Sequence, residues 1–171
     1  IVQTEEATLE EAIESGEIHI SHVLTPDQIQ SGIQVQGVTL AEAPQAPTGL
    51  YFQYNMERVV LYDYDKDLET KDDQITADGN IRLEPGFDFQ LTVDGFRLEQ
   101  LSFTTHVDER AELTIRAEVK EPLIKKEKEI ARHYFSPITV PIGPFPVVIV
   151  PVLTVNIGLD GSVHDGLSTG I

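Results

Sequence analysis

Phe87-Asp88-Phe89-Gln90-Leu91-Thr92-Val93-Asp94 places an apolar side chain at every odd position and a polar one at every even position. That period of two puts one face of a strand on a core and the other in water. Working outward, Leu101, Phe103, Thr105 and Val107 repeat the period, and Ala111, Leu113, Ile115, Ala117 and Val119 alternate with Glu112, Thr114, Arg116, Glu118 and Lys120. Asp108-Glu109-Arg110, between those two runs, is predicted to be a hairpin turn. Asp78-Gly79 and Asp94-Gly95 carry the same turn chemistry. Upstream, Leu50, Phe52, Tyr54 and Met56 form another stripe. Ile33 and Val35 alternate until the phase slips at Gly37, before Val38 and Leu40, which predicts a bulge.

Together these runs predict an all-β chain, an antiparallel two-sheet β-sandwich with a short N-terminal helix. The helix is expected where Thr4 or Thr8 caps a run through Leu9, Ala12 and Ile13 that ends at Gly16. Thr25-Pro26-Asp27-Gln28-Ile29 predicts one helical turn with Pro at its first position, and Lys125 to Arg132 predicts a solvated strand. In the tail, Pro137, Pro141, Pro144, Pro146 and Pro151 punctuate Ile138-Thr139-Val140 and Val147-Val148-Ile149-Val150. Proline removes ladder donors, so this path belongs at an edge or a crossing. Its continuous apolar character predicts that both faces are covered. Val152 to Ile157 resumes as a strand, Asp160-Gly161 signals a hairpin, and Leu167 to Ile171 starts a further strand. The organisation expected is an N-terminal segment, 1–49, and a sandwich domain, 50–171, truncated or completed by a partner. A chain opening on Ile1 is expected to be a processed product.

The 171 residues hold 29 acids and 12 bases, a net charge of −17. Nucleic-acid binding and adhesion to anionic membranes both need a positive surface, so neither is expected. No apolar run approaches the roughly 18–20 residues of a membrane helix, so membrane insertion is not expected either. The charge is uneven: residues 1–57 carry nine acids and no Lys or Arg, whereas residues 100–132 balance seven acids with seven bases. There is no cysteine, which excludes disulfides, thiol nucleophiles and Cys-type metal sites.

The densest chemistry lies between Asp63 and Gln74. Asp63, Asp65, Asp67, Glu69, Asp72 and Asp73 fall within eleven residues, the first three in D-x-D-x-D spacing. Carboxylates at alternate positions of a turning loop converge, and a hard cation such as Ca²⁺, which takes six to eight oxygens, offsets their repulsion. Leu68 and Gln74 depart from an EF-hand loop, which has Gly and a bidentate Glu there, so a shorter calcium loop closed by Asp72 or Asp73 is expected. The competing readings are a solvated acidic turn or another metal. His19 and His22 lie three apart on a strand, hence on opposite faces, and His106 is expected at the surface. His133 and His164 stand isolated. Neither a catalytic motif nor a paired-carboxylate signal stands out among so many acids. With no Trp, a carbohydrate ligand has little support; Tyr51, Tyr54, Tyr62 and Tyr64 are expected to pack on strands.

Val60-Leu61-Tyr62-Asp63-Tyr64-Asp65, Asp72-Asp73-Gln74-Ile75 and Gly79 resemble part of a β-rich region of exported bacterial proteins of unassigned activity. So do Ile142 to Pro151, Asp160-Gly161-Ser162-Val163 and Leu167-Ser168-Thr169-Gly170. The resemblance spans about 50–171 and implies an extracellular or cell-surface location; it implies no catalytic residue. The function expected is that of a non-enzymatic structural or surface protein, stiffened by Ca²⁺ and self-associating through strand donation into a homo-oligomer or filament. Ile18 to Val23 and Ile33 to Leu40 are the expected donors. The alternatives are a ligand- or carbohydrate-binding accessory domain of a secreted enzyme, or a hydrolase with a carboxylate pair.

Overall fold

The computed structural model describes residues 14–41, 51–118, 124–142, 145–161 and 169–170. The described chain is all-β with antiparallel pairing throughout. Its strands are β1 (Gly16–Val23), β2 (Ile29–Gln34), β3 (Val38–Leu40), β4 (Phe52–Asp63), β5 (Gln74–Asp94) and β6 (Arg97–Ala117). They continue as β7 (Ile124–Phe135), β8 (Ile138–Ile142), β9 (Phe145–Ile149), β10 (Val152–Gly161) and β11 (Thr169–Gly170). A 3-10 turn at Pro26–Gln28 fulfils the single helical turn, and the Thr25 N–H donates to Gln28 Oε1 at 3.1 Å. The helix expected over residues 4–13 lies outside the described residues, and Gly16 opens β1.

β5 and β6 form a hairpin of two 21-residue strands, each about 70 Å long at the rise of a strand. They dominate a six-stranded sheet ordered β11-β6-β5-β4-β3, in which β1 also pairs with β5. One edge of β5 is shared: β4 takes Gln74 to Leu83, and β1 takes Gly86 to Val93. β10-β7-β2 make a second sheet and β8-β9 a third. The three strands drawn from residues 16–40 pair with β5, β7 and β4, so this part of the chain is woven into both larger sheets.

The main core packs Phe52, Tyr54, Met56, Val59, Leu61, Ala77, Ile81, Leu83 and Phe87 of the large sheet against Ile130, Ala131, Phe135, Leu153, Val155 and Ile157 of the second. That facing of two sheets is sandwich-like. Farther up the hairpin, Phe89, Leu91 and Val93 pack against Val140 and Ile142, so β8-β9 covers the other end of β5.

Several turns fall elsewhere than the sequence suggests. β6 runs straight through Asp108-Glu109-Arg110. Leu101 to Val107 and Ala111 to Ala117 share one parity, so an unbroken strand keeps both runs on one face. The hairpin turns at Gly95-Phe96, both at positive φ (54° and 59°), as a two-residue turn matched to strand twist requires. Asp78-Gly79 is not a turn but lies within β5. Gly79 (φ 137°) faces Met56 beside a bulge in β4, where Arg58 takes φ 46° and donates its N–H to Asp78 Oδ1 at 2.9 Å. Gly37 sits in the turn between β2 and β3 rather than in a bulge. The tail is not covered on both faces: β8-β9 is a two-stranded ribbon whose outward Val148 is exposed, as is Val150 just beyond it. Asp160-Gly161 is not a turn, since both residues pair within β10, opposite Lys125 and Ile124, and Thr169–Gly170 falls in the strand expected near the end.

Candidate metal centre

The acidic stretch is the connection between β4 and β5, closed where Asp63 pairs with Gln74. Its path is set by aspartate side chains that accept from nearby backbone N–H groups, an arrangement open to Asp because its short carboxylate reaches two or three residues on. Asp63 Oδ1 accepts from the Lys66 N–H (3.0 Å), Asp65 Oδ1 from the Asp67 N–H (2.8 Å) and Asp67 Oδ1 from the Glu69 N–H (3.1 Å). Lys66 turns the chain at φ 63°. The Thr70 hydroxyl lies 3.0 and 2.9 Å from the two Asp65 carboxylate oxygens and 2.8 Å from the Asp67 carbonyl oxygen. From the returning strand, Asp73 Oδ2 accepts from the Asp65 N–H at 3.0 Å, and buried Gln74 donates to Asp63 Oδ2 at 3.3 Å.

Asp63, Asp65 and Asp73 thereby each offer a carboxylate oxygen within 4.8 Å of the others. This cluster could hold a metal ion. Desolvation pushes the Asp63 carboxyl above its ordinary range, and the charges of Asp73 and Asp65 add to the rise. Asp65 is held below it, first by the Asp67 N–H and then by the Thr70 hydroxyl. Asp73 also keeps Oδ1 buried, without a hydrogen-bond partner among the described residues. Of the six acids picked out by spacing, the fold brings these three together. Asp67 spends its carboxylate on the Glu69 N–H, and Asp67, Glu69 and Asp72 are exposed outside the triad.

His133, isolated in the sequence, is the buried polar residue that sequence reasoning missed. It is 2% exposed, stacked on Tyr54 (ring centroids 5.8 Å apart) and beside Phe52 (6.5 Å). Neither ring nitrogen has a hydrogen-bond partner among the described residues, and burial pushes its pKa down. The alternation Ala131-His133-Phe135, all three buried, is the signal that could have found it. His19 and His106 sit at the surface on either side of Asp88, at 4.0 and 3.5 Å. His22 contacts Gln28 at 3.2 Å and the ring of Phe87, on the other face of β1. His164 lies outside the described residues.

Comparison of the chain with protein-family models, with curated proteins and with solved structures found no match. No helix among the described residues is long and apolar enough to cross a membrane.

Proposed function

We propose that the chain is a non-enzymatic structural module of an extracellular or cell-surface protein, that its work is cohesion between copies, and that its β4-β5 loop takes up Ca²⁺. The observation carrying cohesion is β6. It is a 21-residue strand, exposed along most of its length, whose outer edge is paired among the described residues only at Thr114 and Ile115. An edge of that length is a template for another strand unless something covers it. Calcium is supported by the all-oxygen character of the triad, Asp63, Asp65 and Asp73. Mg²⁺ prefers near-ideal octahedral geometry and retained water, and suits three convergent carboxylates less well.

Sedimentation equilibrium and thermal melts, each with Ca²⁺ and with chelator, test the two parts. The expected result is a mass above 19.0 kDa that grows with protein concentration and with added salt, since salt screens the net charge of −17. Calcium should raise the melting temperature by several degrees through mass action on the folded state. A 19.0 kDa species under every condition refutes cohesion, and identical melts with Ca²⁺ and chelator refute the calcium loop.

A further inference from the structure

From Gln100 to Arg110, no strand among the described residues pairs with the outer edge of β6. Leu101, Phe103, Thr105 and Val107 lie opposite Leu91, Phe89, Phe87 and Pro85 of β5, so they share the face that carries the core. The ribbon β8-β9 covers Phe89 and Leu91 but leaves the β6 stripe open: Leu101 is 61%, Phe103 53% and Val107 50% exposed. The Phe103 ring stacks on buried Phe87 at 5.3 Å, which fixes one side of it and leaves the other free. A pre-set aromatic at the margin of a core is the type of group that anchors an interface.

We infer that the outer edge of β6 pairs antiparallel with β6 of a second copy of this chain, about a two-fold axis at Thr105. This inference rests on the cohesion reading and names its interface. Three observations select the occupant. First, β11 already docks antiparallel on this same edge at Thr114 and Ile115, so the edge accepts a strand in that sense. Second, β6 carries three arginines against four carboxylates, in a chain of net charge −17, so copies meet there with little like-charge repulsion. With Thr105 opposite itself, Phe103 faces Val107, Thr104 faces His106, Ser102 faces Asp108, Leu101 faces Glu109 and Gln100 faces Arg110, each pair twice. No like charges face each other, and the Phe–Val pair is the aromatic–β-branched kind that stabilises sheets. Third, eleven residues paired on each chain supply about ten hydrogen bonds, the number found in a standard protein interface. The same patch meets itself, so the contact is isologous and closes as a dimer.

The absence of cysteine makes the test direct, because one introduced thiol is the only thiol. Across the axis, the two Thr105 Cα atoms would lie about 4.5–5.5 Å apart, inside the roughly 4.4–6.8 Å range of a disulfide. Two Ser102 positions would be about 20 Å apart. Under mild oxidation, Thr105→Cys should give mostly cross-linked dimer and Ser102→Cys at least about tenfold less. Phe103→Lys should lose the dimer while the monomer keeps its native β circular-dichroism spectrum. Equal cross-linking of the two cysteine variants, or none at Thr105→Cys, overturns the interface. If the unmodified chain still sediments above 19.0 kDa when Thr105→Cys fails to cross-link, the interface falls and cohesion stands. If it sediments as a monomer, both fall.

Discussion

Replacing His133 by Phe should stabilise the fold and remove a pH dependence with it. The imidazole is 2% exposed, and both ring nitrogens are without a hydrogen-bond partner among the described residues. A buried polar group without a partner costs about 1–3 kcal/mol, and replacing it with an apolar group of similar shape recovers much of that. Phe keeps the flat ring between Phe52 and Tyr54 and under Gly32, where a Cβ would collide with the imidazole. At about 2–4 °C per kcal/mol for a chain of this size, the variant should melt roughly 2–10 °C higher. The pH effect has a definite sign. Burial lowers the folded-state pKa of His133 below its ordinary value of about 6.5. The unfolded chain therefore binds more protons in that window, so this contribution is complete above about pH 6.5 and is lost as pH falls through it. Urea unfolding at pH 7.5 and about 5.5 should show a loss of stability in the native chain and a smaller one in His133→Phe. A variant less stable than the native chain at both pH values, or an equal loss in the two proteins, would refute this account of the core.

Two further outcomes follow from the site and the hairpin. Asp65→Asn and Asp73→Asn should each abolish the calcium-dependent rise in melting temperature, whereas Asp72→Asn should leave most of it; titration calorimetry checks the same order. Gly79→Ala should destabilise by at least about 1–3 kcal/mol in urea unfolding, because φ 137° disfavours a side chain and its Cβ would strike the Glu112 carbonyl oxygen.

The β class and the inward faces of β4 and β5 are legible because each of these strands has one wet face and one dry face, and alternation records that difference directly; β6 alternates in the same way, yet its Leu101, Phe103 and Val107 are exposed. Turn positions were less legible. Asp108-Glu109-Arg110 has turn composition, yet it sits where both faces of β6 are in water, so nothing apolar is required there. Gly79 looks like a turn glycine, but its role is to admit the close approach of Glu112 in β6. The continuous apolar run of the tail suggested burial on two sides, while β8-β9 buries only one. At the acidic loop, spacing picks out Asp63, Asp65 and Asp67, of which the fold brings only the first two together, and leaves the closing residue open between Asp72 and Asp73. The hairpin register brings Asp73, and not Asp72, to the cluster, because pairing Asp63 with Gln74 carries Asp73 alongside Asp65. Of the expected donors, Ile18–Val23 pairs with β5, and Ile33–Leu40 pairs through Ile33-Gln34 with β7 and through Val38–Leu40 with β4, all in their own chain, and the long open edge lies on β6.

Hydrogen exchange of the unmodified chain over a hundredfold range of protein concentration tests cohesion through β6 most directly. Outward-facing amides of a free edge exchange rapidly, whereas amides in a ladder are protected. The account predicts that protection between residues 100 and 110 rises with concentration, at alternate amides, while β4 and β7 stay as protected as at low concentration. Exchange in that segment that is equally fast at every concentration, or concentration-dependent protection appearing on another strand instead, would contradict it.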